Sequence, residues 1–146
     1  MCLIVFAWNP GTAQRLVVAA NRDEFHARPA APAAYWEDAP EVLAGRDLQA
    51  QGTWLGVTRD GRFAAITNVR DPQPGTGPTA PRSRGDLTRM FLTGRQSPAQ
   101  FVAQLAGRSA DFEGFNLLVG DTAELWYLHG GGRTQSRSQR LTPGIY

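Results

Sequence analysis

The opening of the chain constrains its fold more than any other stretch. Cys2 to Trp8 is almost wholly apolar, an Asn9-Pro10-Gly11-Thr12 turn follows, and a second apolar run, Arg15 to Ala20, leads into Asn21-Arg22-Asp23-Glu24-Phe25. Two apolar runs about a Pro-Gly turn predict an antiparallel hairpin of buried strands. Pairing them about that turn returns the end of the second strand to the start of the first, so Arg22 and Asp23 arrive next to Cys2. A thiol, a guanidinium and a carboxylate then share one strand end, and at least one of Arg22 and Asp23 is expected to be largely buried there.

That grouping has a chemical use. Removal of the initiator Met, which a small second residue permits, leaves Cys2 with a free α-amino group beside its own thiol. An amine titrating near about 7.7 to 8.0 serves as general base at neutral pH, while Arg22 favours the thiolate and Asp23 orients the amine. Cys2 reads equally as a small hydrophobe opening a core strand. The sequence leaves both readings open.

At 146 residues the chain reads as one domain, 1–146, long enough to bury roughly 68 to 70% of its unfolded surface without staples. A single cysteine excludes an internal disulfide, and with no CxxC or Cys/His cluster no metal site and no required cofactor are expected. The opening run falls far short of the roughly 18 to 20 apolar residues of a membrane span and no Arg precedes it, so the chain is read as cytoplasmic. All 15 basic residues are Arg, against 13 acids, and the net charge of +2 is too small to imply a nucleic-acid partner.

Beyond the hairpin, Arg28 to Pro40 is rich in Pro and Ala and reads as an ordered loop anchored by Tyr35 and Trp36. Short strands follow at Glu41 to Ala44, Thr53 to Thr58 and Arg62 to Val69, the last two joined by Asp60-Gly61. Gly52-Thr53-Trp54-Leu55-Gly56 places glycines on both sides of a Trp, which implies close backbone approach to another element or to a ligand. Asp71 to Pro81, with four prolines and two glycines in eleven positions, reads as a loop. Ser83 is placed to cap a helix that stops at Gly94, and Ser97-Pro98 to open a second that stops at Gly107. Asn116 to Val119 and Glu124 to Leu128 form another hairpin pattern, Gly130 to Arg140 reads as an exposed loop, and Leu141 to Tyr146 as the entry to a further strand.

Seven stretches together resemble the NRDE family, whose animal members are called transport and Golgi organisation protein two. They are Met1-Cys2-Leu3-Ile4, Ala20-Asn21-Arg22-Asp23-Glu24-Phe25 with Arg28-Pro29, Gly52-Thr53-Trp54-Leu55-Gly56, Ala65-Ile66-Thr67-Asn68, Arg84-Gly85-Asp86-Leu87, Gly114-Phe115-Asn116-Leu117 and Leu141-Thr142-Pro143-Gly144-Ile145-Tyr146. The resemblance implies an α+β fold, a four-layer αββα sandwich like the N-terminal-nucleophile hydrolases, with antiparallel sheets and Cys2 at the nucleophile position. It also implies a chain incomplete at its C-terminus. Cys2 with a nearby Arg and Asp is similar to the choloylglycine hydrolases and penicillin V acylases, but here Arg22 and Asp23 are adjacent, and neighbouring residues of a regular strand face opposite ways.

The resemblance associates the family with haem movement and with acyl-CoA and lipid homeostasis, which implies a small apolar, anionic ligand. Arg82, Arg84 and the helix start at Ser83 form the candidate anion site, with Asn21, Glu24 and Trp54 as further ligand contacts. For haem as ligand the candidate axial groups are His26, His129, Cys2 and Met90. For the alternative, hydrolysis of a linear amide by Cys2 with Arg22 and Asp23, Asn68 is the candidate oxyanion donor. A pure interaction module has only the basic 130–140 stretch in its favour.

Overall fold

The computed structural model describes residues 2–69, 82–131 and 135–146. The expected 71–81 loop and the fate of Met1 lie outside the described residues. In chain order the elements are β1 (Leu3–Trp8), β2 (Leu16–Asn21), β3 (Ala30–Tyr35), β4 (Val42–Asp47), β5 (Leu55–Thr58), β6 (Phe63–Asn68), α1 (Gly85–Thr93), α2 (Pro98–Ala106), β7 (Phe115–Gly120), β8 (Leu125–Gly130), β9 (Arg137–Arg140) and β10 (Gly144–Ile145). They build two antiparallel sheets, ordered β10-β1-β2 and β3-β4-β5-β6-β7-β8-β9.

The opening hairpin forms in the expected register, from Leu3 opposite Asn21 to Trp8 opposite Leu16, and Asn9 N–H donates to the Arg15 carbonyl at 2.7 Å to close its turn. The β5–β6 turn is equally local, with Gly61 at φ 88° supplying the left-handed conformation a tight hairpin requires. α2 starts as its sequence specifies: Ser97 Oγ accepts from Gln100 N–H, and Gln100 Oε1 accepts from Ser97 N–H. α1 does not. Its N-cap is Arg84 with no side-chain cap, because the turn before it is closed by Asp86 N–H donating to the Ser83 carbonyl. Ser83 is therefore not the cap.

Both helices pack on one face of the seven-stranded sheet. Leu87 and Phe91 of α1 and Phe101 and Val102 of α2 meet Ile66 and Leu117 there. The other face packs against the three-stranded sheet through Phe6 and Trp8, which meet Phe63, Ala65, Leu118 and Leu141. Alternate residues of β6 from Phe63 to Ile66 thus enter different cores, which is why that part of the strand is apolar without interruption. The result is an α+β sandwich of antiparallel sheets, with one helix layer and two sheet layers among the described residues.

Three expectations need correction. Arg28 to Pro40 is not all loop: β3 lies within it, at the edge of the large sheet, where Pro32 owes the ladder no N–H and a register shift between Ala31 and Ala34 absorbs the irregularity. Trp36 is buried and donates to the Ala44 carbonyl at 3.2 Å, but Tyr35 is exposed with Arg59 over its ring. At the opposite edge, polar Arg137–Arg140 pairs with β8 and is a strand because its backbone completes a ladder, not because its side chains are buried. Finally, the opening strands are buried on one face only. Ile4, Phe6 and Trp8 turn inward, while Leu3, Val5 and Val17 are 53%, 43% and 54% exposed, since this sheet packs on the larger one through a single face.

Candidate functional site

The end of the first hairpin opens onto a cleft of about 630 Å³. Its wall combines Cys2, Arg22 and Glu24 at the hairpin end, Arg28, Arg46 and Asp47 at the β3–β4 side, Trp54 and Asn68 from the sheet, and Arg82 and Arg84 before α1. Seven of the nine residues singled out from sequence share this wall. Asn21, at the end of β2, and Asp23 lie outside it. Arg22 and Asp23 follow the last residue of β2, so strand alternation does not govern them.

Cys2 Sγ donates to Asp23 Oδ1 at 3.1 Å. Hydrogen bonds from the amino terminus and from this thiol pull the Asp23 carboxyl down to about 2. A carboxylate so stabilised holds and orients a thiol or amine but is a weak base at neutral pH. Arg22 turns elsewhere, to Glu24, which also accepts from Phe25 N–H at 2.9 Å and lies 3.8 Å from Arg28. The expected burial of Arg22 or Asp23 is not found: both are exposed residues.

The opposite wall is fixed by Arg28, whose Nε and a terminal nitrogen donate to Asp47 Oδ2 at 2.9 and 2.6 Å. Asp47 Oδ1 accepts from the Gln49 and Ala50 N–H groups. Burial raises the Asp47 pKa, and these donors more than offset it, leaving the carboxyl below its ordinary value. Arg46 pairs with Asp38 and stacks 4.3 Å over Trp36. Its Nε is buried and has no hydrogen-bond partner among the described residues.

Arg82 and Arg84 differ in environment. Arg82 faces Met90 Sδ at 3.3 Å and lies 3.9 Å from Asp86. Arg84 is half-buried and donates to the Gly114 carbonyl at 3.2 Å; burial pushes its pKa down, and the nearby Glu113 and Glu24 carboxylates only partly offset it. The helix start itself offers less than expected, because the Asp86 and Leu87 N–H groups already bond to the Ser83 and Arg84 carbonyls.

Trp54 lines the cleft while packing on the helix-side core, and its Gly52 neighbour explains the glycine pattern. A Cβ on Gly52 would lie 2.5 Å from the Gly85 backbone, so the close approach is to the start of α1. Asn68 ends β6 at the cleft that Cys2 lines, as an oxyanion donor would require. Of the candidate haem ligands only Cys2 lines the cleft: His26 is exposed on a turn, Met90 meets Arg82, and His129 Nδ1 lies 2.9 Å from Asn116 Oδ1. Sequence reading missed Arg46, Asp47 and Glu113. The signal for the first two was a charged pair closing an otherwise apolar strand, Val42–Asp47.

A family model described as Transport and Golgi organisation 2 matches residues 1–146. The chain is 36% identical over 156 residues to a Transport and Golgi organization protein 2 homolog of Bos taurus, covering 100% of this chain and 55% of that protein. It is 38% identical over 106 residues to Transport and Golgi organization protein 2 of Drosophila melanogaster, covering 64% of this chain and 35% of that one. The chain thus spans about half the length, or less, of these relatives. Among solved structures, the penicillin V acylase from Agrobacterium tumefaciens superposes with a TM-score of 0.54 at 12% identity, over 94% of this chain and 49% of that one. At that identity the likeness establishes an N-terminal-nucleophile hydrolase-like fold and nothing finer.

Proposed function

This chain belongs to the Transport and Golgi organisation 2 family, and from that premise we propose that it binds and hands on an apolar ligand carrying anionic groups, such as haem or an acyl-CoA or related lipid. Arg84 carries the proposal. Its guanidinium is half-buried and donates to a carbonyl, and burial disfavours its charge more than the nearby Glu113 and Glu24 carboxylates favour it. A carboxylate or phosphate entering the cleft adds to the partial compensation from Glu113 and Glu24 and accepts hydrogen bonds from the guanidinium. The cleft as a whole is cationic, with five arginines against Glu24, Asp47 and Glu113 on its wall, and Trp54 adds an aromatic surface.

The second reading is a Cys2-dependent hydrolase of a linear amide. It is supported by the Cys2–Asp23 hydrogen bond and by Asn68 on the same cleft. Titration of haem and a long-chain acyl-CoA into wild type, Cys2→Ala and the Arg82→Ala/Arg84→Ala double variant separates the two. Binding predicts micromolar affinity that survives Cys2→Ala and falls about ten- to a hundredfold in the double variant, more steeply at low salt. Hydrolysis predicts release of product from a model amide, abolished by Cys2→Ala. Amide turnover without binding of either ligand overturns the preferred reading.

A further inference from the structure

Glu24 sits among three of the cleft arginines. Its Oε2 accepts from a terminal nitrogen of Arg22 and lies 3.8 Å from Arg28 Nε, while its Oε1 accepts from Phe25 N–H at 2.9 Å. Arg84 is near enough for its charge to be favoured by Glu24 and disfavoured by Arg22 and Arg28. Arg22 and Glu24 both line the cleft, whereas Asp23 between them turns to the Cys2 thiol. The side chains of Arg22 and Glu24 are each 28% exposed, so their ion pair is partly desolvated and still within reach of a ligand.

The arginines of this wall differ in what else holds them. Arg28 gives two donors to Asp47, at 2.9 and 2.6 Å, and Arg46 pairs with Asp38. Each is therefore anchored to a carboxylate other than Glu24. Arg22 is paired with Glu24, and among the described residues with no other carboxylate. Only one residue separates the two, so no tertiary contact is needed to bring them together. The Glu24 carboxylate thus takes the place at Arg22 that an incoming carboxylate or phosphate would take to use the same nitrogen. Exchange of one anionic acceptor for the other leaves the guanidinium paired before and after, which suits a site that both takes up and gives up its ligand.

We propose that Glu24 is a resident competitor in the anion site: it holds Arg22 until a ligand's anionic group displaces it, and so weakens binding while it keeps Arg22 in reserve. The inference rests on the binding function above and deepens it. The test titrates inorganic pyrophosphate, which carries the anionic chemistry without an apolar body, into the wild-type chain, Glu24→Gln, Arg22→Ala and the double variant. Glu24→Gln keeps the shape and removes the competing charge, and should tighten binding about three- to tenfold at low salt. That gain should largely vanish in the Arg22→Ala background. Glu113→Gln, which removes another acid of the same wall, measures the general effect of one charge, and its gain should be equal in both backgrounds. In the ¹⁵N-labelled wild type, pyrophosphate should shift the Arg22 guanidinium resonance and leave that of Arg28, anchored by Asp47, in place, a readout that needs no variant to fold. An equal Glu24→Gln gain with and without Arg22, or no gain in either, overturns the competitor role and leaves anion binding standing. Pyrophosphate binding without movement of the Arg22 resonance overturns it likewise. Failure of the wild type and every variant to bind overturns the anion site and the competitor role together.

Discussion

Replacing Gly52 by Ala tests whether the cleft wall is set by one backbone contact. The added Cβ would sit 2.5 Å from both the carbonyl carbon and the oxygen of Gly85. Ordinary contact begins at 3.4 Å, so the start of α1 must move by about 0.9 Å, and neither offending atom is the end of a flexible side chain. Overpacking of this kind costs about 1 to 3 kcal/mol, here toward the upper end. The same shift strains the Thr53 N–H bond to the Gly85 carbonyl, 3.3 Å long, and the Thr88 hydroxyl bond to Thr53 O, each worth about 0.5 to 1.5 kcal/mol. Against this stands about 0.4 to 1 kcal/mol from restricting the unfolded chain, since Gly52 does not have positive φ. The net destabilisation is about 2 to 3 kcal/mol, a fall in Tm of about 4 to 12 °C. Thermal melts of Gly52→Ala beside Gly45→Ala, whose Cβ would meet only the Ala31 carbonyl at 3.4 Å, make the comparison. Gly45→Ala should stay within about 1 kcal/mol of wild type. A Gly52→Ala protein melting at or above wild type would refute the reasoning, because the clash is the only large term.

The Asp23 carboxyl should titrate near 2 rather than the ordinary 3.8 by NMR. Since the folded value is depressed, its contribution to stability is present above about pH 4 and lost as pH falls toward 2. In Cys2→Ala the midpoint should rise, because one of its two main donors is gone. Asp47→Asn removes the charge facing Arg28, a pair with side chains 30% and 16% exposed, and should destabilise by about 1 to 2 kcal/mol after allowance for solvent screening; unchanged denaturant midpoints would contradict this. Ser97→Ala removes one half of a capping box and should cost about 1 kcal/mol in chemical denaturation.

The parts of the fold that were legible in the sequence are those specified within a few residues. The Asn9–Thr12 and Asp60-Gly61 turns, the Ser97 cap and the apolar faces of both helices carry their instructions locally, and each formed where the residues directed. β3 and β9 were illegible for a shared reason. Each is an edge strand whose side chains are small or polar, and each is a strand only because a neighbour's ladder needs a partner. The site divides in the same way. Cys2 and Asp23 meet because a two-strand register can be counted, whereas Arg46 and Asp47 reach the cleft through the stacking of β4 in a seven-stranded sheet, of which the charged pair closing an apolar strand is the one local trace. The Arg22 and Asp23 burial was misjudged because a strand that is apolar on both faces suggested a covered end, while only one of those faces is packed.

The pairing of β1 with β10 joins the two extremes of the sequence. Phe6 and Tyr146 exchange both backbone hydrogen bonds, at 3.0 and 2.9 Å, after closing a loop of about 140 residues, an entropy penalty of roughly 4 kcal/mol. Contacts of such separation raise the contact order and form after the nearby hairpins have paid their smaller closure terms. The packing of Phe6 against Leu141 and Tyr146 therefore completes late in folding.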